Sequence, residues 1–253
     1  MSKLLVASLV CAVTLGLIIG WVLLNRPPHE SPALASSVNA EEPPKETWRD
    51  RVLSPMEGKT PAQIADKEFN NLSDAKQRRE LLDWVANQPW VDHKTPVLRK
   101  ALVADQNEDV QLVALSKCVK LAEKSGTSAV DEVIRAGLSA ANPKVVQQSL
   151  REARKHPSVD LVPDLLEVAD SSASHRFLAI DALAFTDDLR ARAKVIEFAL
   201  REDGEKTERI RAIALLVKIK DVRADEVLAQ LCGSADHEIK AVAVETMAAR
   251  DKK

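Results

Sequence analysis

A recurrence in the C-terminal part of the chain constrains its fold more than any other feature. A residue able to cap a helix is followed three positions later by a bulky one, and four further on by a small one. The trios are Asn107/Val110/Ala114, Asn142/Val145/Ser149, Ser172/His175/Ala179, Thr207/Ile210/Ala214 and Asp236/Ile239/Ala243. Their bulky positions lie 35, 30, 35 and 29 residues apart, and a weaker copy, Asp74/Gln77/Leu81, starts 33 residues before Val110. Asn, Asp, Ser and Thr accept hydrogen bonds from the free N–H groups of a helix's first turn, so each is a natural N-cap. The bulky residue then opens the buried face. The small residue one turn on lets a neighbouring helix approach closely, so Ala179 and Ala214 are expected where adjacent helices nearly touch.

Before each cap lies another apolar stretch at helical spacing: 96–104, 130–140, 161–169, 191–201 and 224–232. Each unit therefore reads as two antiparallel helices, which cannot bury both faces alone and must stack on their neighbours. The expected fold is all-α, a solenoid of five to six helix pairs over residues 60–253. Composition agrees. Of 7 glycines two fall in the apolar N-terminus, leaving too few turns for a β-sandwich, a Rossmann fold or a P-loop enzyme. With 36 Lys+Arg against 38 Asp+Glu, the chain lacks the basic footprint of a nucleic-acid binder.

The N-terminus reads as an address. Residues 4–24 are uncharged and mostly apolar, and as a helix they would span roughly 31 Å, about the hydrocarbon thickness of a bilayer. The nearest small-x-small sites, at Ala33-Leu34-Ala35 and Val38-Asn39-Ala40, come only after Pro27-Pro28. This favours an uncleaved signal anchor over a removed signal peptide. Val10 is too large to precede a lipidated Cys11. The short head with Lys3 suits a translocated C-terminal domain, periplasmic if the source is bacterial. Gly16 and Gly20 have the spacing of a helix-pairing face. Residues 25–59 form a Pro-rich linker, five of the twelve prolines falling within 25–46, a composition typical of an extended, disordered tether. Cys118 and Cys232 fall in distant units and have no evident disulfide partner.

The helix pairs resemble HEAT-type repeats, including the short variety of phycobiliprotein lyases. There the second helix follows an Asp-rich turn and opens Val-Arg, with Ala four residues after the Val. Arg176, Arg211 and Lys240 match the basic position, whereas Gln111 and Val146 depart from it. Asp105 and Asp170 match the turn aspartate that often pairs with that basic residue; Ala140, Glu205 and Ser234 do not. The resemblance covers residues 93–250 well and 60–88 loosely. It implies an α-solenoid and a binding scaffold, and it carries over no catalytic site.

Motifs that might carry chemistry have plainer readings. Gly58-Lys59-Thr60 looks like the end of a phosphate-binding loop, but Leu53 stands where its first glycine belongs and Pro61 favours a helix start. Ser73-Asp74-Ala75-Lys76 has Ser/Lys acylation spacing without the companion motifs. His29, His93, His156, His175 and His237 form no ligand pair. His237-Glu238 resembles one rung of a HEAT-like metal hydroxylase, which needs several. His175 reads as a buried packing histidine, and Asp187-Asp188 as the cap of a helix beginning near Leu189. HEAT-like DNA glycosylases share only the expected fold, since they need a basic, aromatic groove. Trp48, Trp84 and Trp90 read as a hydrophobic cap on the first unit.

The expected function is therefore a membrane-anchored scaffold or assembly factor, not an enzyme, with no metal or other cofactor. The expected partner is another protein, in an envelope or membrane complex. Neither nucleic acid nor a small-molecule substrate is expected, and residues 4–24 contact the membrane. The alternatives are a structural subunit of a membrane complex and a lyase- or chaperone-like factor for a cofactor-bearing client. The inner lining should come from second-helix positions two and six after each bulky residue: Arg79/Asp83, Leu112/Ser116, Gln147/Arg151, Phe177/Asp181, Ala212/Leu216 and Ala241/Glu245. Arg79, Asp83, Gln147, Arg151, Phe177, Asp181, Leu216 and Glu245 are the candidate binding residues.

Overall fold

The structure is a computed structural model that describes residues 46–53, 59–88 and 91–250, with the backbone alone for 91–95. The anchor at 4–24 with Cys11, Gly16 and Gly20, the linker up to residue 45, and Trp90 lie outside the described residues. No helix among the described residues is long and apolar enough to cross a membrane. One packed unit spans Glu46–Lys253. It therefore includes part of the segment read from sequence as linker.

The described residues form thirteen α-helices and no strand. A short helix, α1 (Trp48–Leu53), precedes six antiparallel pairs. These are α2 (Pro61–Asn71) with α3 (Ala75–Asn87), α4 (Val91–Ala104) with α5 (Glu108–Ala122), and α6 (Thr127–Leu138) with α7 (Pro143–Lys155). Then come α8 (Val162–Ser171) with α9 (Arg176–Leu183), α10 (Leu189–Leu200) with α11 (Lys206–Leu215), and α12 (Val222–Cys232) with α13 (His237–Arg250). Each pair packs on the next, first helix beside first and second beside second. The second helices lie closer together, so their layer is the inner side of the stack.

The caps account for most of the starts. Asn107 accepts from Val110 N, Asn142 from Lys144 N, Asp74 from Lys76 N, and Asp236 from Glu238 and Ile239 N. Thr60 and Gln63 form a reciprocal capping box, with Pro61 in the first turn. Asp188 caps α10, as the acidic pair predicts, while Asp187 pairs with Arg192. Two predicted caps fail. The residue before α9 is His175, not Ser172, and Thr207 sits inside the first turn of α11, which begins after Glu205. Neither helix has a side-chain cap of its first N–H groups.

The small-residue register holds in four units and slips in one. Ala114, Ser149, Ala179 and Ala243 are buried, whereas Ala214 is exposed and Ala212 is buried in its place. A repeated hydrogen bond explains the shift. Arg176 Nε donates to Ala169 O at 3.0 Å and Arg209 Nε to Ala199 O at 3.1 Å, each closing its second helix onto the end of its first. Gln111 does the same to Leu102 O at 3.2 Å. Arg209, not Arg211, is thus the counterpart of Arg176, and everything after it moves back by two residues. Ala212→Leu is accordingly expected to cost about 1–3 kcal/mol by overpacking, and Ala214→Leu nearly nothing. Thermal unfolding of the two variants distinguishes the registers.

Neither turn aspartate pairs with the basic position of its own unit. Asp105 is gripped from the unit before, by Arg78 Nε and Nη2 at 2.8 and 3.2 Å, while Arg78 Nη1 donates to Leu72 O and Ser73 O. This ties the second helix of one pair to the turn of the next. Asp170 instead holds Lys194, at 2.8 Å, between first helices. At the N-terminal end Trp48 is buried and meets Trp84 edge-on at 6.0 Å, while Arg51 pairs with buried Glu68 at 2.8 Å. These contacts dock α1 on α2 and α3, with Trp48 and Trp84 in the cap that the tryptophan reading anticipates.

Both described cysteines are free. Burial pushes the Cys118 thiol up to about 12, so almost no thiolate forms near neutral pH. In a Cys11→Ser chain, Cys232 is expected to react with a thiol reagent at pH 8 under native conditions and Cys118 only after denaturation. Peptide mapping of the modified sites checks this.

The aspartate caps give an acid limb. Hydrogen bonds from Arg190, Arg223 and Lys206 hold the carboxyls of Asp188, Asp221 and Asp236 below their usual range, Asp221 at about 2. A carboxylate whose folded pKa is depressed contributes stability that is full above the unfolded pKa and lost as pH falls through the folded one. The thermal midpoint should therefore fall between about pH 4 and pH 2, and Asp221→Asn should flatten that fall.

Candidate functional site

Successive second helices are stitched by ion pairs along most of the inner layer. Between α3 and α5, Arg79 pairs with Asp109 at 3.4 Å and Lys117 with Asp83 at 2.6 Å. Between α5 and α7 Lys144 reaches Glu108 at 2.6 Å, and between α7 and α9 Arg154 reaches Asp181 at 3.2 Å. At the start of α11, Lys206 binds Asp236 and Glu238 of the last unit, at 2.7 and 2.6 Å. Each of these cations finds a carboxylate, so these junctions carry little net charge toward a partner.

The junction between α9 and α11 is built differently. Phe177, Asp181 and Phe185 stand four residues apart, on one stripe of α9 and its C-terminal extension, and all three are half-buried. Arg211 lies over the Phe177 ring at 5.3 Å, and Lys218 over Phe185 at 5.5 Å. Arg154, besides holding Asp181, lies 4.9 Å from the Phe185 ring centre. An aromatic ring attracts a cation through its quadrupole but supplies no negative charge. Of the three cations Arg154, Arg211 and Lys218, only Arg154 pairs with a carboxylate, that of Asp181. Partial burial raises the Asp181 carboxyl above its usual range, an effect Arg154 opposes. A cleft of about 210 Å³ opens beside Phe185, between the ends of α9 and α11, with Lys218, Lys220 and the Arg192–Asp187 pair on its walls.

The predicted lining divides on these facts. Arg79 and Asp83 are engaged in the ion pairs above, and Gln147 is half-buried. Arg151 is exposed, with Gln148 as its hydrogen-bond partner at 3.4 Å. Phe177 and Asp181 come together in the stripe, and Glu245 is exposed on α13. Leu216 is fully buried, as is Ala212. The two-residue shift in α11 puts half-buried Ile210 and exposed Ala214 on the lining instead. Sequence reading missed Phe185, Arg154, Arg211 and Lys218 as members of the face. The signal for Phe185 was present, since it continues the four-residue spacing of Phe177 and Asp181.

The three histidines with described side chains sit apart from this face. Pro143 O can only accept, so His175 Nε2 donates to it at 3.0 Å, and Nδ1 faces Ser172 Oγ at 2.9 Å. This hydrogen-bonded histidine begins α9; it is half-buried where full burial was expected. His156 lies 3.3 Å from Glu123, and His237 is exposed at the start of α13. Among the described residues no three His, Cys, Asp or Glu side chains gather where a metal ion could bind.

No family model matches the chain, and no curated protein does. Among solved structures it is similar to a designed armadillo repeat protein, with 15% identity and a TM-score of 0.39 over 75% of this chain and 99% of that one. It is likewise similar to an engineered protein, with 17% identity and a TM-score of 0.43 over 75% of this chain and 99% of that one. The repeat architecture itself stands on the helix pairing described above.

Proposed function

We propose that this chain is a membrane-anchored scaffold or assembly factor that binds another protein through its second-helix layer and performs no chemistry of its own. One observation carries the reading: the Phe177–Asp181–Phe185 stripe, half-exposed on the inner layer and set among cations from both neighbouring second helices. Stacked helix pairs offer an extended surface of this kind, and aromatic and arginine side chains are the residues that interfaces concentrate. The apolar run at 4–24 supports an anchor, and Lys3 in the short head supports an extracytoplasmic domain, periplasmic in a bacterium. The Pro-rich stretch that follows would hold the repeat domain near the membrane and raise its local concentration toward a membrane-bound client.

Extraction from native membranes tests both halves. The chain should stay with the membrane in alkaline carbonate, leave it in mild detergent, and bring a protein with it. Release by carbonate alone would remove the anchor from the account. A preparation that turns over a small substrate would make the chain an enzyme.

A further inference from the structure

We infer that the α9–α11 junction receives an acidic peptide segment of the partner protein, one that carries an aliphatic or aromatic side chain among its carboxylates. The inference rests on the scaffold reading above and adds the chemistry of what is bound. Charge complementarity favours this junction, where two such cations stand together on aromatic rings. The ion pairs between α3 and α5, α5 and α7, and α11 and α13 neutralise the cations that span them. Between α9 and α11 the cations lie on phenylalanine rings and keep their charge.

Arg211 is also set up to accept an anion. A guanidinium over a ring gains no counter-charge there, and a planar guanidinium can fork onto a carboxylate. Arg211 is exposed, and among the described residues no carboxylate lies within ion-pair distance of it or of Lys218. The apolar half of the ligand has its place at Phe185, whose ring forms one wall of the adjoining cleft. Cation and ring together fit a segment that alternates acidic and apolar residues. A nucleic acid fits less well. It would need a continued row of cations, and this patch holds carboxylates of its own, Asp181 in the stripe and Asp187 on the cleft wall.

The test pans a phage-displayed library of short random peptides against the full-length chain in mild detergent, followed by titration of the enriched peptides. The enriched set should be rich in Asp and Glu and share an apolar position. Its affinity should fall at least tenfold in the Arg211→Glu/Lys218→Glu chain and weaken with added salt. A full-length chain with Arg99→Glu alone, on the first-helix side, should bind as the parent does. Circular dichroism of each variant confirms that the helices remain. Enriched peptides that are neutral or basic, or that ignore the double reversal, would overturn the acidic-segment proposal while leaving a scaffold that binds elsewhere. No enrichment at all would also overturn it. So would a single-stranded oligonucleotide that binds through Arg211 and Lys218 where the acidic peptides do not.

Discussion

Gly137→Val is expected to destabilise the repeat unit by about 3 kcal/mol, among the largest effects of any single substitution in it. Gly137 sits within α6, where it faces Ser149 of α7 across their helix–helix contact. A Cβ there would overlap Ser149 Oγ, and it would lie 3.1 Å from Ser149 Cβ and 3.3 Å from a Leu115 methyl group. Ser149 has little room to yield, because it is fully buried and its hydroxyl donates to Val145 O at 2.9 Å. Gly137→Ala gains about 1 kcal/mol of helix propensity, so its net loss is smaller. Adding Ser149→Ala removes the overlapped hydroxyl and should restore part of that loss. Urea unfolding of the three variants reads this, and a Gly137→Val chain as stable as the parent would mean that α6 and α7 are not this close.

Asp105→Ala should cost about 3 kcal/mol, the usual scale when one partner of a buried ion pair is removed. The Arg78 and Asp105 side chains are only 15% and 4% exposed, and the pair is bidentate, Nε to Oδ2 and Nη2 to Oδ1. Asp105 also accepts from Asn107 N, so its loss loosens the turn that starts α5. Arg78 would keep its two carbonyl partners but lose the counter-charge. Arg79–Asp109 is the control. It is exposed and 3.4 Å long, and Asp109→Ala should change stability by about 0.5 kcal/mol or less. Equal losses from the two substitutions, measured by urea unfolding, would show that burial does not set the strength of these pairs.

The helix pairs were legible because caps and small residues obey local rules. Asn107, Asn142, Asp74 and Asp236 cap where the spacing puts them, and Ala114, Ser149, Ala179 and Ala243 are buried. The fifth unit misled because Thr207 is by type a better cap than Glu205. What sets that helix's register is a tertiary bond, Arg209 to Ala199 O, which no local pattern announces. The slip carried into the site. It placed Leu216 on the lining and hid the role of Arg211 and Lys218. Phe177 and Asp181 were found because α9 kept its register. Their cationic neighbours come from other units, about 27–34 residues away, a distance over which spacing arguments lose their hold. Arg154 lies 27 residues before Asp181, and Arg211 lies 34 after Phe177.

The central claim is that the second-helix face, not the first-helix face, meets the partner protein. A photo-crosslinking amino acid placed at Ala214 probes the second-helix face, and one at Val103 the first-helix face; both positions are exposed. Irradiation of cells carrying the full-length chain should yield a discrete protein adduct from position 214 and none from 103. An adduct from 103 alone would contradict the account.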